Sequence, residues 1–160
     1  MTPAPFSLEN VVLIVHVGSV VIAFGMIFAY PLFVGLGNSI IDPGGLPPFH
    51  RAQVRVIRWL VGPGLAIVAV SGLVLAAKLG TLTRFYSDWG IIAAIAIGCI
   101  LGGYLAPREA RLAAIAATDL QAEDGVLSLE YDELSHRVLR MSQITSAIVL
   151  ATILVMAAHS

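Results

Sequence analysis

Charged residues are scarce in this chain, and that scarcity excludes most classes of soluble protein. Asp, Glu, Lys and Arg make up 12% of its 160 residues, about half the share of a typical soluble domain. Hydrophobic residues make up 58%, and the mean hydropathy is +0.92. A soluble domain of this size would have to expose much of that apolar surface to water. The composition therefore predicts an integral membrane protein.

Two further scarcities narrow the function. Because Cys99 is the only cysteine, the chain forms no internal disulfide and no cysteine-built zinc site. The nine basic and ten acidic side chains give a formal net charge of −1, which argues against a nucleic-acid partner. The sequence also lacks a Gly-rich phosphate loop and the common nucleophile motifs. It therefore gives no positive sign of an enzyme.

Long stretches without charge divide the chain into four hydrophobic segments. The first has 32 uncharged residues between Glu9 and Asp42, and the other three have 19 each. A helix rises about 1.5 Å per residue, so each segment can cross a hydrocarbon core of ~30 Å. No Lys or Arg precedes the first segment, so we expect it to be retained rather than cleaved as a signal peptide. The predicted fold is all-α, an integral membrane four-helix bundle forming a single domain (1–160), with spans at about 8–36, 55–77, 89–107 and 139–158.

The basic residues are distributed unevenly between the connections. The first and third connections hold seven of them, the second holds two, and the tails hold none. The positive-inside rule then places both termini on the outer side of a bacterial inner membrane. The third connection also contains good helix formers and an apolar stripe from Leu127 to Met141. We expect a cytoplasmic helical extension before the last span, packed against an extension of the third.

Three arginines share one helix face just below the membrane. Arg51, Arg55 and Arg58 recur at positions i, i+4 and i+7. One interpretation is that they reach to the headgroups and set the topology. The alternative is a clamp for an anionic lipid.

His16 is the only ionisable residue well inside a predicted span. One interpretation is a neutral core histidine that forms a hydrogen bond with Ser71 or Thr152, which lie at a similar depth. The other is a ligand for haem or a metal, since a neutral imidazole suits both. Met156 and His159 lie one turn apart near the same depth and, with His16, could form a soft-metal site for copper.

The segment His16–Gly25 carries a family resemblance. A histidine early in the first span, followed by small residues ending in Gly25, resembles a bacterial family of predicted integral membrane proteins of unknown function. The resemblance continues through His50-Arg51-Ala52, Ser71-Gly72-Leu73-Val74-Leu75 and residues 108–112. The same pattern is distantly similar to copper-resistance D membrane domains and to the haem-dependent membrane protoporphyrinogen oxidase. Those relatives imply a redox or metal role centred on His16.

Two functions follow from these patterns. The first is a small membrane protein that acts by association, as a homo-oligomer or as an accessory subunit of a membrane partner. Close-packing glycines such as Gly98 and Gly102 motivate this expectation. The alternative is a redox protein that binds haem b or copper through His16. The lipid bilayer is the expected surrounding in both cases.

Overall fold

The structure, a computed structural model, is made of helices joined by short connections. It describes residues 7–82, 84–122 and 125–159, without the side chains of Asn38, Ile40, Tyr86 and His159. A short 3₁₀ turn, Pro43–Gly45, links the first two α-helices. The α-helices within the described residues are α1 (Leu8–Ile40), α2 (Leu46–Val56), α3 (Gly62–Lys78), α4 (Phe85–Cys99), α5 (Ala106–Asp119) and α6 (Leu129–His159).

Two π-helical segments join these helices into longer ones. Ile57–Val61 connects α2 to α3, and Ile100–Leu105 connects α4 to α5. Each is followed by an α-helical residue and then a proline, Pro63 in one case and Pro107 in the other. A proline has no N–H, and its ring collides with the carbonyl four residues earlier. A wider turn relieves that collision, and each π segment lies just before its proline.

Four helices are long and apolar enough to cross a membrane: Leu8–Gly37, Pro43–Lys78, Ser87–Asp119 and Leu129–Ala158. This confirms the all-α fold and the number of predicted spans, and it suggests a multi-pass membrane protein. The second, third and fourth helices extend beyond the spans expected from the sequence. The predicted spans end at charged residues. The helices do not end there, because their backbone hydrogen bonds continue past the charged side chains.

One face of α1 carries its contacts with the rest of the bundle. The residues on this face are all buried or half-buried, whereas most others on α1 are exposed. They are Val12, His16, Ser19, Ala23, Met26 and Tyr30. Helix α1 packs on α3 and α6, and α4 also packs on α6. A Cβ added at Gly64 would lie 3.2 Å from Ala23 Cβ. Gly64 therefore allows α3 to approach α1 closely.

Further helix contacts lie at one end of the bundle, which we call the arginine end (residues 43–58, 104–122 and 125–140). Helix α2 packs on α5, and α5 packs on the first turns of α6. Leu112, Tyr131 and Val138 are buried there, with Leu134 partly buried against them. The predicted apolar stripe therefore packs against the extension of the third span, as expected.

Candidate functional site

The first candidate site is centred on the pair formed by His16 and Ser71. The ring Nδ1 of His16 lies 3.0 Å from Ser71 Oγ. The Ser71 hydroxyl also lies 2.5 Å from the carbonyl oxygen of Ile67. A hydroxyl has one proton, and a carbonyl only accepts, so that proton points to Ile67. Ser71 then accepts a hydrogen bond from His16 Nδ1–H, which leaves a lone pair on Nε2 of the neutral ring.

His16 lines a cavity of about 460 Å³ between α1, α3, α4 and α6. Met156 lines the same cavity from α6, and Thr81 and Ser87 contribute to it from the connection between α3 and α4 and the start of α4. The remaining walls include several small residues: Ala69, Gly72, Ala76, Gly90 and Ala94.

Gly72 determines how closely the imidazole approaches α3. A Cβ added at this position would lie 3.0 Å from His16 Cε1, tighter than an ordinary van der Waals contact. The absence of a side chain at Gly72 therefore lets the ring lie against the helix. Together with the Ser71 hydrogen bond, this fixes the orientation of the ring.

The other residues predicted around His16 are placed differently. The buried Thr152 hydroxyl donates to the carbonyl of Ile148 on its own helix, at 2.8 Å. The His159 side chain lies outside the described residues, so the predicted pair with Met156 is not described. Among the residues with described side chains, no three His, Cys, Asp or Glu form a metal-binding group. Haem needs only one or two axial ligands, and His with Met is one of its known pairs. The donor chemistry of His16 and Met156 therefore fits haem.

A second polar cluster lies at the arginine end and was missed by sequence reasoning. His50 Nδ1 lies 2.5 Å from Glu109 Oε2, and His50 Nε2 lies 2.8 Å from the Tyr131 hydroxyl. The hydroxyl of Tyr30 donates to Glu109 Oε1. We call these four residues the buried network. Each of the four helices that are long enough to cross a membrane contributes one side chain to the buried network.

The buried network is closed to outside molecules. The exposed fraction of His50 and of Glu109 is 0%, and both tyrosines are buried. Both carboxylate oxygens of Glu109 and both ring nitrogens of His50 have hydrogen-bond partners within the cluster. Satisfied polar groups in a buried setting fix one arrangement of the elements that carry them. The buried network therefore acts as a polar cross-link between the helices.

A signal for Glu109 is present in the sequence. Leu112, Ala113 and Ala116 follow it at i+3, i+4 and i+7, and all three are buried. Glu109 therefore stands on the apolar face of an amphipathic helix. In the structure His136 is exposed, and His50 contacts Glu109 and Tyr131.

The arginines of this end fall into two groups. Arg111 and Arg137 form ion pairs with Glu130 and Glu133, at 2.5 and 3.2 Å. The guanidinium of Arg108 lies 3.4 Å from the centre of the Tyr104 ring. A second group is exposed and forms no ion pair or hydrogen bond with any residue in the described part of the chain. It includes the three predicted lipid-facing residues, Arg51, Arg55 and Arg58.

Comparison with known proteins gives no relative for this arrangement: no family model matches the chain, and neither a curated protein nor a solved structure matches it significantly.

Proposed function

We propose that this chain is a redox protein of the bacterial inner membrane that binds haem b in the cavity beside His16. The observation that carries the proposal is that His16 and Met156 line the same cavity. The contact with Ser71 favours a lone pair on Nε2 of His16, and the thioether of Met156 offers a second donor. His16 is the proposed axial ligand, and Met156 is the proposed second ligand. The resemblance of residues 16–25 to haem- and copper-associated membrane families supports the same choice.

The residues of the cavity have distinct roles in this proposal. Ser71 Oγ accepts a hydrogen bond from Nδ1–H and holds the imidazole in the tautomer that leaves Nε2 free for a metal. Gly72 and Gly90 leave room for the side chains of His16 and Met156, because a Cβ at either glycine would collide with them. The apolar walls keep water away, which favours a lipid-soluble ligand. When bound, haem supplies one-electron transfer, with its potential adjusted by the axial ligands.

Copper is the competing ligand for the same residues. A thioether and an imidazole suit copper, and His16 with Met156 provides one of each. Haem is favoured here because two donors suffice for it and because the cavity extends well beyond the donor atoms. The two ligands give different signals, so one experiment separates them.

The test is an absorption and metal measurement on the full chain purified in mild detergent after haem supplementation. We expect a Soret band with about one haem per chain, lost in His16→Ala and shifted in Met156→Leu. His136→Ala is the matched control, since His136 is an exposed histidine far along the chain. Haem-independent copper at one equivalent, or colourless metal-free protein, would contradict the haem proposal. The molecular mass of the purified protein particle in the same preparation tests the predicted association into a homo-oligomer or with a membrane partner.

The sequence supports an orientation for this protein as well. Seven basic residues lie in the first and third connections, against two in the second. We therefore propose that both termini lie outside and that the arginine end is cytoplasmic. The His16 cavity would then open in the outer half of the membrane.

A further inference from the structure

A groove on the outer surface of the bundle runs between α3 and α4. Its volume is about 360 Å³. Gly62, Ala66 and Ala69 form one wall, and Ala94, Gly98 and Gly102 form the other. The first wall runs from Ile57 to Ala69, roughly 18 Å along a helix at 1.5 Å per residue. That length is close to the thickness of one leaflet, which is half of a hydrocarbon core about 30 Å thick.

Two glycines of the groove are open to the surroundings. A Cβ added at Gly98 or Gly102 would meet no atom within 4 Å. The close helix approach expected at Gly98 and Gly102 is therefore absent from the described part of the chain. In a bilayer no water covers such a surface, so its occupant is apolar along the walls.

One end of the groove carries a positive charge. Arg58 lines it there, beside Ile57 and Gly62. The Arg58 side chain is exposed, and no described residue accepts a hydrogen bond from its guanidinium or forms an ion pair with it. By contrast, Arg108, Arg111 and Arg137 at the same end are engaged with other side chains. The guanidinium fork matches the oxygens of a phosphate group.

We propose that this groove binds an anionic phospholipid, with one acyl chain along the glycine-lined walls and the phosphate on Arg58. The apolar walls of the groove suit the acyl chain of the lipid. The arginine at the end of the groove suits a negatively charged headgroup. Arg55, one turn earlier and also exposed, adds positive charge near the phosphate. The groove adjoins the His16 cavity, since Ala69 and Ala94 line both, but Arg58, Gly98 and Gly102 line only the groove. The lipid proposal does not depend on the haem proposal.

The test compares lipid retention in two headgroup classes. The full chain is reconstituted in bilayers of equal phosphatidylglycerol and phosphatidylcholine, extracted in mild detergent, and examined by native mass spectrometry. We expect bound phosphatidylglycerol to exceed phosphatidylcholine roughly tenfold, which corresponds to about 1.4 kcal/mol. Arg58→Gln should reduce this ratio to near one. An unchanged ratio in Arg58→Gln, or no preference in the unmodified chain, would overturn the proposal.

A second variant tests the acyl-chain part of the site. Gly98→Leu should fill the groove without a collision inside the chain, because its Cβ points into open space. It should lose retained lipid of both classes. Gly103→Leu is the matched control, since its Cβ is equally open but Gly103 does not line the groove. If Gly98→Leu instead dissociates a dimer and leaves lipid retention unchanged, the groove holds a second copy and the lipid proposal fails. Haem absorbance in both variants should equal that of the unmodified chain.

Discussion

A single hydroxyl group decides which nitrogen of His16 carries a lone pair. The Ser71 proton lies toward the Ile67 carbonyl, so its oxygen is left to accept from Nδ1 of the imidazole. Without that contact the ring could take either tautomer and could rotate about its side-chain bonds. The proposed ligand therefore depends on a residue that does not itself line the cavity. Such supporting residues are often nearly as important as the ligand itself.

Ser71→Ala should accordingly weaken haem binding by about tenfold, the lower end of the range for the loss of a supporting hydrogen bond. The measurement is titration of haem into the apoprotein, followed by absorbance. Thr152→Ala is the matched control, because the Thr152 hydroxyl donates within its own helix. Equal losses in the two variants would mean that Ser71 acts only through general stability of the bundle.

The buried network gives a second prediction at the level of single residues. His50→Ala leaves the Glu109 carboxylate buried with one partner fewer, and breaking a buried pair in this way costs about 3–5 kcal/mol. Tyr131→Phe removes one hydrogen bond and leaves the His50–Glu109 contact intact, so its cost should be about 1–3 kcal/mol. Denaturant unfolding in detergent micelles, followed by circular dichroism, measures both.

The exposed residue His136 provides the control for that comparison. His136→Ala should change the free energy of unfolding by less than about 0.5 kcal/mol, as is usual for surface positions. If Tyr131→Phe proves as costly as His50→Ala, the buried charge is not what makes the network sensitive. The hydroxyl of Tyr131 would then be the more important contact.

At the scale of helices, the sequence predicts the elements but not how they are joined. Runs without charge are enough to find four membrane-crossing helices, because a bilayer penalises charge and unpaired backbone alike. The π segments are harder to predict, since a proline alone does not say whether its helix bends, breaks or widens. The buried network is harder still. Tyr30 and Tyr131 are 101 positions apart, and only the packing of α1, α2, α5 and α6 brings them to the same carboxylate–imidazole pair.

The glycines illustrate the same limit and yield a prediction for helix packing. Gly98 and Gly102 have the spacing expected of a close contact, yet the close approach occurs at Gly64, against Ala23. Gly64→Leu should therefore force α3 away from α1 and destabilise the bundle by about 1–3 kcal/mol. Gly98→Leu should have little effect on the same unfolding curve, because its Cβ faces open space. A similar cost for the two substitutions would contradict the packing of α1 on α3.

At the scale of the whole molecule, the two polar sites are held at different ends. His16 and Tyr30 lie on the same helix, 14 residues apart, which corresponds to roughly 21 Å. Sites at that separation with no shared partners should respond independently to substitution. The His16 cavity faces one side of the membrane and the buried network the other, so the orientation of the chain decides which compartment each one adjoins.

That orientation can be measured with single cysteines. Glu9 Oε1 lies 4.0 Å from Lys78 Nζ, so the start of α1 and the end of α3 are at the same end of the bundle. In a Cys99→Ala background, a membrane-impermeant maleimide should label Leu82→Cys in intact cells, because that connection has few basic residues and is expected outside. Gln121→Cys, exposed in the third connection, should be labelled only after the cells are permeabilised. The opposite pattern would reverse the membrane sides of the His16 cavity and of the groove between α3 and α4 while leaving their internal geometry unchanged.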